Sequence, residues 1–224
     1  MHLIWAQYFQ MLSLLLSIIY SKGLSKLKIN GFIPLLVIVV VTEFFGSNRS
    51  YFGWKNNYFL YDCYLIISFP LTFYIFYKML LYVGILRIIY FSFGLLILIF
   101  FFLNLFYVQG INKFDTYTLI LSEFVITLLS LLVLIKLFKE DDFTIMLYNH
   151  PYFWISGATL IFSVSTLVIL GLQQYIEAEK IQIDGKNIYR ILTPIMNVIL
   201  YVSYSYAFFL CNKLTSKLSP QSLL

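Results

Sequence analysis

From residue 84 to residue 107 the chain carries a single charged side chain, Arg87, in a stretch built almost wholly from Ile, Leu, Phe, Tyr and Gly. A run of that length and composition is long enough for an α-helix to cross the roughly 30 Å hydrocarbon core of a bilayer. Comparable apolar stretches lie at about residues 3–21, 31–47, 58–79, 115–138, 151–174 and 190–212. Strands of a membrane barrel would be about 10 residues long with strict alternation, so the unbroken runs predict helices. The chain as a whole has 61% hydrophobic and 11% charged residues, whereas a soluble domain carries about 25% charged residues. The expected fold is an all-α, polytopic transmembrane bundle of seven helices, filling residues 1–224 as one domain.

The first residues, MHLIWAQYFQMLSLLLSIIY, lack a basic leader and a small-residue cleavage site. They are read as the first membrane helix, with no removed signal peptide. Pro34, Pro151 and Pro194 are placed in the first turns of the second, sixth and seventh segments, where a missing N–H costs nothing. Pro70 falls inside the third segment and predicts a kink.

The net charge of +5 sits mostly between the apolar runs, where it reports orientation and contact with lipid headgroups. Nucleic acid is not expected as a partner. With the N-terminus outside, Lys22, Lys26, Lys28, Lys78, Arg87, Lys136, Lys139, Lys213 and Lys217 face the cytoplasm, and Arg49, Lys55, Lys113, Lys180, Lys186 and Arg190 face outward. The larger cytoplasmic share gives N-out, C-in, which in a bacterium means the inner membrane. Around Asp184-Gly185 the alternation EKIQIDGKNIYRI signals a type I′ hairpin, a small flap at 179–190. Asp142 is placed to cap a short interfacial helix over 142–150.

Polar groups inside apolar runs are expensive and mark function or helix contacts. Glu43, Asp62, Asn104, Glu123 and Asn197 all fall in the same leaflet, with Gln7, Gln10, Gln173 and Gln174, whichever way the chain is oriented. In the fifth segment Thr116, Glu123, Thr127 and Ser130 share a helical face, and in the seventh Asn197, Tyr201, Tyr204 and Phe208 do. Glu43, Asp62, Asn104, Glu123, Asn197 and Tyr201 are therefore candidate ligand-binding residues around one polar pocket. Arg49, Lys55, Lys113 and Arg190 are the cations on that side. Each candidate has a plainer alternative: Glu43 snorkelling to the interface, Asp62 resting at a helix start, Glu123 in a structural hydrogen bond, Asn104 and Asn197 joining helices.

Much chemistry is missing. His2 and His150 are expected on opposite sides of the membrane, which leaves no haem or zinc pair. HExxH, a phosphate-binding glycine loop and a GxSxG elbow are absent. No lysine sits mid-helix in the seventh segment for a retinal Schiff base. Cys63 and Cys211 are expected about a membrane apart, as free thiols. No cofactor, metal or catalytic residue is expected, and the balance leans away from an enzyme.

The phrases LKINGFIPLLVIVVVTEFFG, YNHPYFWISGATLIFS and NVILYVSYSYAFFLC, in that order, resemble a group of small seven-helix integral membrane proteins of Bacteroidota. The resemblance implies the fold and an association with sensor histidine kinases. It carries over no activity, substrate or functional residue. The expectation is a sensory or signalling-accessory module whose outer-leaflet pocket binds a small ligand or lipid. Rearrangement around Pro70 would pass the signal to a partner such as a kinase, through Tyr and small residues of the fifth and seventh segments. The alternatives are a small-solute or ion transporter using the same carboxylates, and an intramembrane lipid-modifying enzyme.

Overall fold

The computed structural model describes residues 5–110, 113, 115–139, 147–172, 182–183, 186–187 and 189–217. The helices in chain order are α1 (Trp5–Ile19), α2 (Ser21–Lys26), α3 (Phe32–Ser47), α4 (Tyr58–Leu80), α5 (Ile85–Leu103), α6 (Thr116–Lys139), α7 (Pro151–Gly171) and α8 (Tyr189–Lys217). A π-helical turn, Asn104–Val108, continues α5. Five helical segments are long and apolar enough to cross a membrane: Tyr58–Leu80, Ile85–Val108, Thr116–Lys139, Pro151–Gly171 and Ile191–Ser216. The helices α1 and α3 are apolar but shorter, at 15 and 16 residues.

Six helices close a ring in the order α1, α3, α4, α6, α7, α8 and back to α1, while α5 lies outside it against α4. Cross-helix contacts fix the two ends. Gln7 of α1 donates to the Glu43 carbonyl of α3 at 3.0 Å, at one end. At the other end Lys136 Nζ donates to the Met79 and Leu80 carbonyls at 3.1 and 3.2 Å, satisfying orphan groups at the close of α4. Lys26 Nζ reaches the Thr215 carbonyl at 3.4 Å near the close of α8.

The polarity of α1 is inverted relative to a soluble helix. Its buried residues are Ala6, Gln7, Gln10, Ser13 and Ser17, and Met11, Leu12, Leu15, Ile18 and Ile19 are exposed. In water this arrangement would hide the polar face and wet the apolar one. Against lipid it is the favourable one, since polar groups find partners only inside the bundle. On α5 the inward stripe is Tyr90, Gly94, Ile97 and Phe101, and the remaining faces are apolar and exposed. Phe73 packs onto Gly94 so closely that a Cβ there would sit 2.6 Å from its ring. The Tyr90 hydroxyl donates to the Phe73 carbonyl at 2.6 Å.

The Lys26 end of the ring is filled. Phe32, Leu36, Phe76, Met79, Val133, Ile155, Ala207 and Phe208 are all 2% exposed or less. Phe32 meets Tyr204 and Phe208 edge-on, with centroids 5.0 and 5.4 Å apart.

Several expectations are revised. The first segment does not run to residue 21 as one helix: a turn at Tyr20 separates α1 from α2, and Ser21–Lys26, at the junction between the first two expected segments, is helical. Gly23 explains the difference, since a Cβ there would lie 3.0 Å from the Asn212 nitrogen, so α2 packs backbone to backbone on α8. Pro194 lies inside α8 rather than in its first turn, because that helix already starts at Tyr189. The last helix also runs past residue 212 to Lys217. Pro70 sits within α4, which continues through it. Pro151 opens α7 as expected, with His150 Nδ1 accepting from the Tyr152 N–H at 3.2 Å. Of the 142–150 helix, residues 142–146 lie outside the described residues, and Leu147–Asn149 form one 3-10 turn. Gln182–Ile183 pairs antiparallel with Lys186–Asn187; Asp184, Gly185 and the rest of the 179–190 flap up to residue 181 lie outside the described residues. So do Gln173, Gln174, Lys180 and His2.

Candidate functional site

The helices of the ring separate toward the Glu43 end and leave a cavity of about 410 Å³ between α3, α4, α6, α7 and α8. That volume lies in the range of small-molecule sites. Its deeper part is mostly apolar, with Val39, Leu65, Phe69, Ile126 and Leu200, joined by Ser68 and Thr72 of α4. Beneath it lies the filled Lys26 end.

Glu43 and Glu123 both line this cavity, with Asn197 and Tyr201. Four of the six candidate residues therefore meet at one place. The carboxylates come from different helices, one near the end of α3 and one about two turns into α6. Glu43 is held by Tyr61 of α4, whose hydroxyl donates to its carboxylate. Gly46 makes that contact possible. It lies one turn beyond Glu43 on the same face, and a Cβ there would be 2.8 Å from the Tyr61 hydroxyl oxygen. Gln7 fixes the backbone beneath Glu43 and donates to Ser47 Oγ at 2.6 Å. Opposite, Gln10 of α1 is hydrogen-bonded to the Tyr201 hydroxyl. Around Glu123, Thr127 Oγ1 donates to the Glu123 carbonyl at 2.8 Å and contacts Ser163 Oγ at 2.9 Å. This ties α6 to α7 without engaging the carboxylate.

Among the described residues no lysine, arginine or histidine lines the cavity. Arg49, Lys55 and Lys113, the cations available on that side, are exposed; the Arg190 side chain lies outside the described residues. Three tyrosines, Tyr61, Tyr64 and Tyr201, join two phenylalanines, Phe69 and Phe162, around the two acids. Carboxylates with aromatic faces and no cation form a pocket that attracts positive charge.

Asp62 and Asn104 are not part of this cavity. Successive helical residues are 100° apart, so with Tyr61 turned into the cavity, Asp62 turns away from it toward the start of α6. Asn104 stands on α5, outside the ring. The two join a second polar cluster with Asp115 and Thr118. The α8 stripe is placed as the spacing predicts, with Tyr201, Tyr204 and Phe208 buried. Cys63 is half-buried, Cys211 is buried, and both are free.

The sequence reading passed over Tyr61, Tyr64 and Ser68. Their spacing of three and four residues marks a polar stripe on α4, a signal that was present and masked by the many interfacial tyrosines of the chain. Asp115 was read as the first residue of its helix; it is instead the cap, with Oδ1 accepting from the Thr118 N–H at 3.1 Å. Among the described residues no three His, Cys, Asp or Glu side chains gather to hold a metal. The chain matches no known family model, no characterised protein and no solved structure.

Proposed function

We propose that this protein is a membrane-embedded binding module of the sensory or signalling-accessory kind, whose cavity takes an amphiphile bearing a positively charged amine. The observation that carries the reading is the cavity wall: Glu43 and Glu123 face one space with Tyr61, Tyr64 and Tyr201, and among the described residues no basic side chain shares it. The acids and aromatic faces suit an ammonium group, and the mostly apolar deeper part suits an alkyl chain.

In this reading α1 and α3 also span, giving seven crossings. Both belong to the ring and run alongside the long helices, α3 from Phe32 among the filled core to Glu43 at the cavity. The basic residues then place the N-terminus outside, the C-terminus in the cytoplasm and the cavity in the outer leaflet of a bacterial inner membrane. Ligand entering between α3, α4, α6, α7 and α8 shifts these helices about Pro70. The change passes to a partner such as a sensor kinase.

The second reading, a small-solute or ion transporter, shares the two carboxylates but needs a route through the other half. Phe32, Phe76 and Phe208 fill that half, which favours a one-sided binding site. An intramembrane lipid-modifying enzyme, in which Glu43 or Glu123 would be essential for turnover, ranks third.

Affinity purification of the tagged protein from native membranes in mild detergent tests the signalling part. A kinase or other signalling protein recovered in stoichiometric amount is the expected result. Recovery of the protein alone would remove that part and leave a binding protein.

A further inference from the structure

The two acids of the cavity stand differently. Glu43 already accepts from the Tyr61 hydroxyl. Among the described residues nothing donates to the Glu123 carboxylate, since Thr127 bonds only the Glu123 backbone carbonyl. Glu123 is thus the uncommitted acceptor, and its neighbours decide which kind of amine it takes.

Two contacts fix the level of those neighbours. Thr127 Oγ1 meets Ser163 Oγ at 2.9 Å across the α6–α7 seam. Thr159 Oγ1 meets the Tyr204 hydroxyl at 2.8 Å across the α7–α8 seam. Consecutive spanning helices run antiparallel; in the second seam Trp154 packs on Tyr206 at 5.0 Å, so later residues of α7 stand beside earlier ones of α8. One turn back from Thr127 on α6 therefore faces one turn on from Ser163 on α7, which brings Glu123 level with Thr166. About two turns on from Thr159 and two back from Tyr204, Thr166 is level with Asn197. All three residues line the cavity.

At this level the wall offers acceptors. Thr166 Oγ1 gives its only hydrogen to the Phe162 carbonyl at 3.0 Å, which leaves its lone pairs for whatever enters. Ser122, beside Glu123, does the same with the Leu119 carbonyl at 2.8 Å. Among the described residues Asn197 has no hydrogen bond that fixes its amide, so its oxygen can turn inward.

We propose that the amphiphile assigned to this cavity is a primary amine and that Glu123, Thr166 and Asn197 bind its N–H groups, an inference that rests on the amine reading itself. A primary ammonium has three N–H donors, one for the carboxylate, one for the hydroxyl and one for the amide oxygen. Each N–H taken out of water needs an acceptor, and bonds from a charged donor are among the strong ones. A quaternary ammonium keeps the attraction to the acids and the rings but makes none of these bonds.

The test compares decylammonium with decyltrimethylammonium on the full chain in detergent at pH 7, where each carries one positive charge. Native mass spectrometry and the thermal midpoint follow binding, and partitioning into protein-free micelles is measured for each and corrected. Decylammonium is expected to bind at least about tenfold tighter, with dimethyldecylammonium, which keeps one N–H, in between. Thr166→Val and Asn197→Leu are each expected to narrow the gap at least about threefold. Equal affinities, or a tighter quaternary ligand, would overturn the proposal and leave a cavity that selects charge alone. Binding of neither amine would overturn the amine reading together with it. A full gap in both folded variants would overturn the assignment to Thr166 and Asn197, and the wild-type comparison stands even where a variant fails to fold.

Discussion

Phe208→Ala lowers stability by about 3 kcal/mol, while Phe209→Ala, one residue on, costs under about 0.5 kcal/mol. The two phenylalanines have the same chemistry and opposite surroundings. Phe208 is fully buried, edge-on to Phe32 and tilted against Tyr204 at 6.3 Å. Phe209 is 44% exposed on the outer surface of the ring. In a soluble core, Phe→Ala costs about 3–5 kcal/mol through lost transfer and the void left behind. In a membrane the transfer part shrinks, because the unfolded reference also lies in lipid. The packing part remains, since van der Waals contact is what holds membrane helices together. The lower end of the range is therefore expected. Unfolding titrations in mixed micelles measure it, and equal costs at the two positions would contradict the assignment of the inward face of α8. The same filled end also bears on function, because it closes the route that a transporter would need.

The second large effect concerns the cavity. Glu43→Gln and Glu123→Gln together reduce binding of decyltrimethylammonium by at least about 100-fold, with the fold retained. A carboxylate about 5 Å from an ammonium in a medium of effective dielectric near 20 gains roughly 3 kcal/mol. Desolvation takes back part of that, and about 1.4 kcal/mol surviving at each acid is a factor of ten apiece. The amide keeps the shape of the side chain and removes a charge held among apolar walls, so stability stays level or rises. Equilibrium binding and thermal midpoints on the same samples separate the two effects. Lost binding with a collapsed midpoint in both single variants would mean that the acids are structural.

How far the sequence reaches can be followed residue by residue. The apolar runs place the long helices to within a few residues, and the period of 3.6 places Tyr201, Tyr204 and Phe208 on one inward stripe. Depth along each run brings Glu43, Glu123 and Asn197 to one end of the bundle. Depth says nothing of azimuth, however. Asp62 and Asn104 share that end but belong to a different cluster. The reasons are the 100° step between Tyr61 and Asp62 and the position of α5 outside the ring. Which helix stays outside is decided by side-chain packing: Phe73 against Gly94 seats α5 on α4. Gly46 is similar. As a letter it is a small residue near a helix end, and only the approach of Tyr61 shows that it gives room for the Glu43 hydrogen bond.

The central claim is that the cavity selects positive charge, and one comparison tests it most directly. Decyltrimethylammonium and decylsulfonate carry the same tail and permanent opposite charges, so detergent partitioning is matched. Each is titrated into the wild-type protein and binding is followed by native mass spectrometry and the thermal midpoint. Saturable binding of the ammonium, with the sulfonate at least tenfold weaker, is the predicted result. Sulfonate bound as well as the ammonium, or neither bound, would contradict the account.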